Sequence, residues 1–320
     1  MGGAEPPLTP VLVGPTASGK TALAEALAAR MSLTVVSADA RQVYRGLDIG
    51  TAKPDAELLR RVPHRGIDLV AAGERYSAGR FAAEAAEWIG EIRRSGRTPV
   101  VVGGTGFYIR ALGSGLFQEP ALDPARRQAL REWTEGLEPG TLARWAGRLD
   151  PRFAGGGRQR AARAVEVALL TGHSLSHWQV AARETGVIRP WYIQLTLPRP
   201  VLHRRIAERV NRMLAAGLEA EVHRVLAAGV APDAPGLDAV GYREIIAVRE
   251  GRLARERLRE AIVIATRQYA KRQETWFNNQ VSGVRGQGSV APVWKLDATQ
   301  SPTELARLVH ERWSSLTPDP

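Results

Sequence analysis

The stretch VLVGPTASGKTALAEALAAR, residues 11–30, decides how this chain is read. Val11-Leu12-Val13 is short, apolar and β-branched at both ends, which predicts a buried strand. Residues 22–30 are rich in Ala and Leu, both strong helix formers. Between them residues 14–21 fit G-x-x-x-x-G-K-T. A glycine-bearing turn from strand to helix lets successive backbone N–H groups converge on an anion, and the helix N-terminus adds partial positive charge. Gly14, Pro15, Thr16, Ala17, Ser18, Gly19, Lys20 and Thr21 are therefore the expected phosphate cradle. Lys20 is expected to reach the outer phosphate oxygens, and the Thr21 hydroxyl to enter the shell of a Mg²⁺. The turn leaves open whose phosphate it holds: the tail of ATP, or the diphosphate leaving group of another molecule.

Downstream, LTVVSADARQVYRGLDIGTAKP (33–54) predicts a second strand over 33–37, with Asp39 just past its C-terminal end. In open α/β sheets ligands gather at such ends, which makes Asp39 a site candidate, although Asp is also a common turn cap. FAAEAAEWIGEIRRSG (81–96) reads as a helix closing at Gly96, and TPVVVGGTGFYIRAL (98–112) as a third strand running into Gly103-Gly104-Thr105. Strand alternating with helix predicts a doubly wound, mostly parallel α/β sheet with a P-loop NTPase-like core. Thr105 also suits the N-cap of a helix beginning near Gly106.

The texture changes after Gly113. From 120 to 178 no strand is evident, and residues 126–163 carry nine arginines against four acids. This predicts a helical insertion with a basic surface. WYIQLTL (191–197) restores a strand; 202–229 and about 252–278 read as long amphipathic helical segments, and SSLTPDP (314–320) as a frayed end. The expected organisation is a P-loop α/β core over 8–115, a helical insertion over 116–185, and a return to the sheet with C-terminal helices over 186–320.

With 44 Lys and Arg against 33 Asp and Glu, the net charge is +11, which suits a polyanionic partner. The absence of cysteine excludes disulfides and thiolate metal sites. No apolar run approaches the roughly 20 residues that cross a bilayer, and MGGAEPPLTP lacks the basic and apolar regions of a signal peptide. A cytoplasmic protein with no membrane contact is expected. His173 and His177 stand four apart without an acid in an H-E-x-x-H pattern, so structural roles are expected of them. The eight tryptophans read as core or interface groups.

A P-loop ATPase usually carries a second apolar strand ending in a Mg²⁺-holding acid. TPVVV ends instead in Gly-Gly-Thr. On the residues alone, phosphoryl transfer by a nucleotide or small-metabolite kinase and transfer of a diphosphate-activated group stand level. An RNA-binding module whose loop merely docks a nucleotide is the non-enzymatic reading.

GPTASGKT, SADARQVYRGLDIGTAKP, VPHRGIDL, VVVGGTGFYIRAL, QRAARAVEV and TRQYAKRQETWF occur in an order and spacing that resemble the tRNA dimethylallyltransferases, also called tRNA isopentenyltransferases. The resemblance runs from about residue 10 to about residue 280. It implies transfer of a dimethylallyl group from dimethylallyl diphosphate to N6 of adenosine 37, beside the anticodon of tRNA. It implies Asp39 as general base, Thr105 near the departing oxygen and the target nucleotide, and Lys20 on the leaving diphosphate. Asp39, Ala40, Arg41 and Gln42 are implied as target-base contacts. Gln159, Arg160, Ala161, Ala162 and Arg163, with Arg127, are implied as further tRNA contacts, and Arg205 and Arg209 as donor-diphosphate contacts. Mg²⁺ is the implied cofactor and a monomer the expected state. The chain departs from the family at Ala40, where many members have Ser, and at Gly155-Gly156-Gly157, where an Asn-Asp pair is usual. It also lacks the C-terminal zinc finger of some relatives.

Overall fold

In the computed structural model, which describes residues 5–115, 122–181, 186–281 and 293–317, the cradle lies between strand β1 (Leu8–Val13) and helix α1 (Lys20–Ala28). There follow β2 (Leu33–Ser37), α2 (Ala56–Arg61), β3 (His64–Arg65), α3 (Ala78–Arg94), β4 (Thr98–Val102) and α4 (Gly106–Ser114). Four helices make up the next stretch: α5 (Pro124–Glu135), α6 (Pro139–Leu149), α7 (Arg158–Thr171) and α8 (Leu175–Ala181). Then come β5 (Arg189–Thr196), α9 (Arg199–Ala215), α10 (Leu218–Ala227), α11 (Tyr242–Arg249), a 3₁₀ turn (Arg255–Arg257), α12 (Leu258–Val281), β6 (Val293–Asp297) and α13 (Pro302–Leu316).

The six strands form one sheet in the order β3-β2-β4-β1-β5-β6, every pair parallel. Side chains alternate across a strand. Leu12, Val35, Val100, Val102, Ile193 and Leu195 thus share a face with Leu23 and Leu27 of α1 and with Leu305, Ala306 and Val309 of α13. The opposite face receives α3, whose Phe81, Ala85, Ile89 and Ile92 are buried. Each fully buried aliphatic or Phe contributes about 1.5–3 kcal/mol. Trp191 stacks between Trp294 and Trp313 at 5.9 and 5.8 Å, tying β5, β6 and α13 together. Those three tryptophans are packing groups, whereas Trp133 and Trp145 are 42% and 39% exposed.

The chain divides into two compact units, Met1–Gly113 with Val187–Pro320, and Ser114–Gly186. Residues 116–121 and 182–185, where the insertion was expected to begin and end, lie outside the described residues, as do 318–320. In the second unit, Leu142, Ala146, Ala161, Ala164 and Val165 form a small core of their own.

Several expected bounds change. β1 begins at Leu8 rather than Val11, and Pro10 masked this in the sequence. Pairing with β4 starts only at Val11, so the N–H that Pro10 lacks falls outside that ladder. α1 starts at Lys20, directly after left-handed Gly19 (φ 99°), rather than at Ala22. The single helical segment expected over 202–229 is two helices, broken at Gly217 (φ 94°), and the segment expected from 252 is a 3₁₀ turn leading into α12. The end expected to fray at Ser314 stays helical to Leu316, because α13 is capped by Ser301, which accepts from Glu304 N–H, and docks its apolar face on α1. The short strands β3 and β6 had no sequence signal.

Candidate active site

Parallel strands deliver their C-terminal loops to one edge. The turns after β1, β2 and β4 therefore meet, bringing together the cradle, Asp39 and Gly103-Gly104-Thr105. Thr16, Ala17, Gly19, Lys20, Asp39, Gly103 and Gly104, though not Thr105, line a cavity of about 440 Å³, closed from the side by α9 and α12.

Backbone geometry shapes the cradle. Gly14 has φ 150°, and a Cβ there would lie 2.9 Å from the Leu195 carbonyl oxygen. Ala17 is left-handed (φ 63°) despite its side chain, and Gly19 leads into the amide end of α1. Pro15 O accepts from Ser18 N–H, closing the turn. Lys20 Nζ donates back to the carbonyls of Gly14 and Pro15 at 2.9 and 2.8 Å. The side chain is only partly covered, but desolvation of the ammonium brings its pKa down to about 8, with the Asp39 charge opposing that shift and Arg209 adding to it. Thr21 lines the cavity from the first turn of α1.

The Asp39 turn is held from two sides. Asp39 Oδ1 accepts from Arg41 N–H at 2.9 Å, which caps the turn. The Thr105 hydroxyl accepts from Ala40 N–H at 2.9 Å, and Thr105 N–H donates to Ala38 O. Thr105 opens α4 through its carbonyl, which accepts from Tyr108 and Ile109 N–H, while its side chain serves the neighbouring turn. Gln42 is committed to the scaffold: it accepts from Ser37 Oγ at 2.8 Å and donates to Ala52 O at 3.2 Å. Arg41 donates to Pro235 O and faces Asp238 at 3.8 Å.

Arg205 and Arg209 of α9 reach the cavity, as does Arg212. Arg205 stands beside Gly19 and donates to Ala298 O at 2.9 Å. Arg209 is partly covered and feels the charges of Lys20 and Asp39; desolvation lowers its pKa and Asp39 opposes the shift. A second cavity of about 230 Å³ is lined by Asp238, Gly241, Arg243 and Arg272, and shares Thr16, Asp39, Thr51, Arg209 and Tyr269 with the first. Asp39 thus stands where two cavities meet.

The residues expected on the insertion belong to the second unit. Arg127 Nε and Arg163 Nη1 reach Glu166 Oε1 at 2.5 and 2.7 Å, with Arg131 at 3.7 Å from the other oxygen. Gln159 and Arg160 are exposed in the first turn of α7. Ala161 is 2% exposed, inside the unit's core, so its side chain is not presented to solvent; Ala162 is partly covered. His173 and His177 stack on each other at 4.4 Å, and no cluster of three His, Cys, Asp or Glu that could hold a metal occurs among the described residues.

Sequence reading missed Glu208, Arg212, Tyr269, Gln273 and His64, all of which line the larger cavity. The available signal was i, i+4 spacing: Arg205, Glu208, Arg209 and Arg212 share one face of α9, and Tyr269 and Gln273 one face of α12. Burial pushes the Tyr269 phenol up and keeps it neutral, and holds the His64 imidazole below its usual range. Gln273 is 6% exposed; it accepts from Thr16 N–H at 2.8 Å and donates to Gly104 O at 3.0 Å.

A family model described as IPP transferase matches residues 42–280. A tRNA dimethylallyltransferase of Alkalilimnicola ehrlichii is 43% identical over 290 residues, 86% of this chain and 90% of that protein. One from Chromohalobacter salexigens is 45% identical over 283 residues, 85% of this chain and 89% of that protein. Among solved structures, the tRNA isopentenylpyrophosphate transferase of Bacillus halodurans superposes with a TM-score of 0.67 at 32% identity, covering 98% of this chain and 99% of that one. A eukaryotic dimethylallyltransferase acting on tRNA shares the fold, with a TM-score of 0.80 at 24% identity over 98% of this chain and 80% of that one. Among the described residues no helix is long and apolar enough to cross a membrane.

Proposed function

The chain belongs to the IPP transferase family, and on that premise we propose that it transfers a dimethylallyl group from dimethylallyl diphosphate to N6 of adenosine 37 in tRNA. One observation carries this reading: Asp39 lies where a phosphate cradle and a second cavity meet. Such a junction suits a reaction that brings an anionic donor and a nucleophile from two directions to one carboxylate.

The diphosphate lies against the amides at the start of α1, with Lys20, Arg205 and Arg209 countering charge that grows as the C–O bond breaks. Thr21 and the nearby Glu208 are hard oxygen donors of the kind Mg²⁺ takes alongside substrate phosphates, and Thr21 would hold that ion. Bound there, it would neutralise part of the leaving group's charge. The adenine amine enters from the side of Asp238 and Arg243. Its lone pair is delocalised into the ring, so it needs help as a nucleophile. As the bond from N6 to the allylic carbon forms, the N6 proton passes to Asp39, whose turn Thr105 fixes through Ala40. An extruded base needs polar and aromatic contacts. Arg41 and Tyr269 supply these in the core unit, and Gln159 and Arg160 offer exposed phosphate contacts on the insertion. The protein works as a cytoplasmic monomer.

The test is incubation with labelled dimethylallyl diphosphate or labelled ATP, with and without tRNA. Label passing from the prenyl donor to tRNA is the expected result. Phosphate transfer from ATP, or binding without turnover, would replace this reading with a kinase or an RNA-binding module. Asp39→Ala should lower transfer by about 10²–10⁴-fold while leaving tRNA affinity within a few-fold.

A further inference from the structure

We propose that Gln273 is a positioning residue that sets the spacing between the phosphate cradle and the Asp39 turn; this rests on the prenyl-transfer reading above. Its amide links two loops far apart in the chain directly. Gln273 Oε1 accepts from Thr16 N–H, 257 positions away, and Nε2 donates to Gly104 O, 169 positions away. From Gly104 the connection continues without a gap. Thr105 follows in sequence, its hydroxyl accepts from Ala40 N–H, and Ala40 follows Asp39. Cradle and carboxylate are thus joined through one buried side chain.

The surroundings are cut to fit this link. A Cβ on Gly104 would lie 2.1 Å from Gln273 Nε2, so only glycine admits the amide. One turn on, Trp276 lies over Gly106, where a Cβ would come within 2.2 Å of its indole. Ala270 and Phe277, 1% and 0% exposed, fix α12 from which both side chains project. The chemistry also selects this residue type. An amide offers a donor and an acceptor on one planar group, and each is used once. A carboxylate would keep the acceptor for Thr16 and oppose the Gly104 carbonyl with a second oxygen. Leucine would fill the space and make neither bond.

Displacement at an allylic carbon needs nucleophile and leaving group in line, and a misplacement of about 1 Å costs about 10²-fold in rate. Gln273 therefore acts through the relative placement of two loops without touching the reacting atoms.

The experiment compares wild type, Gln273→Leu and Gln273→Glu by thermal midpoint, by affinity for dimethylallyl diphosphate and for tRNA measured separately, and by single-turnover transfer with both substrates saturating. The expected result for Gln273→Leu is a folded protein whose two affinities stay within about threefold of wild type while the single-turnover rate falls about 100-fold. Gln273→Glu should show a comparable rate loss, with weaker donor binding from its added charge. If Gln273→Leu unfolds, the Glu variant carries the test. Transfer by Gln273→Leu within about threefold of wild type, a rate loss matched by lost affinity, or loss of the fold in both variants overturns the proposal. Absence of transfer by wild type refutes the function itself, whereas equal transfer by wild type and variant refutes only the positioning role.

Discussion

Donor binding should weaken as pH rises through about 8, because the Lys20 ammonium is desolvated and loses its proton there. A lysine with a lowered pKa is charged below that value and neutral above it, and the diphosphate binds the charged form. With a pKa of about 8, roughly nine-tenths of free enzyme is protonated at pH 7 and roughly one-tenth at pH 9. The dissociation constant of dimethylallyl diphosphate should therefore rise about tenfold over that interval, with uptake of close to one proton per donor bound at pH 9. The donor's own ionisation contributes too, so the control is Lys20→Arg, whose guanidinium stays charged throughout. Isothermal titration in buffers of different ionisation enthalpy gives both affinity and proton uptake. The ratio of wild-type to Lys20→Arg affinity isolates Lys20. A ratio that changes less than twofold between pH 7 and 9, or breaks only above pH 10, refutes the reasoning. Linkage adds a second sign: between about pH 8 and 10.5 the unfolded chain holds the Lys20 proton and the folded chain does not, so this group's contribution to stability of the unliganded protein rises with pH across that window.

Glu221, 1% exposed, accepts from Asp48, Ile49 and Gly50 N–H and from the Tyr242 hydroxyl, and so holds the loop that flanks the cavity. Glu221→Gln turns an NH₂ toward those donors and should cost about 2–3 kcal/mol; an unshifted urea midpoint would contradict this. A Cβ on Gly103 would lie 2.1 Å from the Ala38 carbonyl oxygen, a backbone atom beside Asp39. Gly103→Ala should lower stability by about 1–3 kcal/mol and depress transfer, whereas Gly147→Ala, in α6 with no neighbour within 4 Å, should be neutral or slightly stabilising; equal midpoints for the two variants would refute the steric argument. In the insertion, Glu166→Gln removes the negative charge on which three guanidiniums converge. Because those arginines are partly solvated, the cost should fall below the roughly 3–5 kcal/mol of a fully buried pair. Faster amide exchange in α5 and α7 is the readout, and unchanged exchange would show that Glu166 does not organise them.

Much of the core was legible because its signals are local. A β-branched run bounded by glycine marks β1, β2 and β4 wherever they pack, and the G-x-x-x-x-G-K-T spacing carries its backbone geometry with it. Asp39 stood out as a candidate because ligands gather at the C-terminal ends of parallel strands, whereas Thr105 was a candidate through the resemblance. Other elements had no local signature. β3 has two residues and β6 five, and each is a strand because a neighbour in the sheet offers it a ladder. Polar residues on α9 and α12 looked the same as a solvated helix face. Only packing shows that Tyr269 and Gln273 line the cavity, whereas Arg205 and Arg209 were already candidates through the resemblance. Arg127 and Arg163, which the resemblance implied as RNA contacts, are gathered around Glu166 by the fold and stay partly exposed.

The sequence by itself determined the layered α/β architecture, the anion cradle and the carboxylate next to it, since each depends on residues adjacent in the chain. Tertiary structure decided which distant side chains complete the site and what fixes the gap between its halves. Those outcomes depend on whether a polar group meets water or a buried loop, and spacing along the chain cannot encode that.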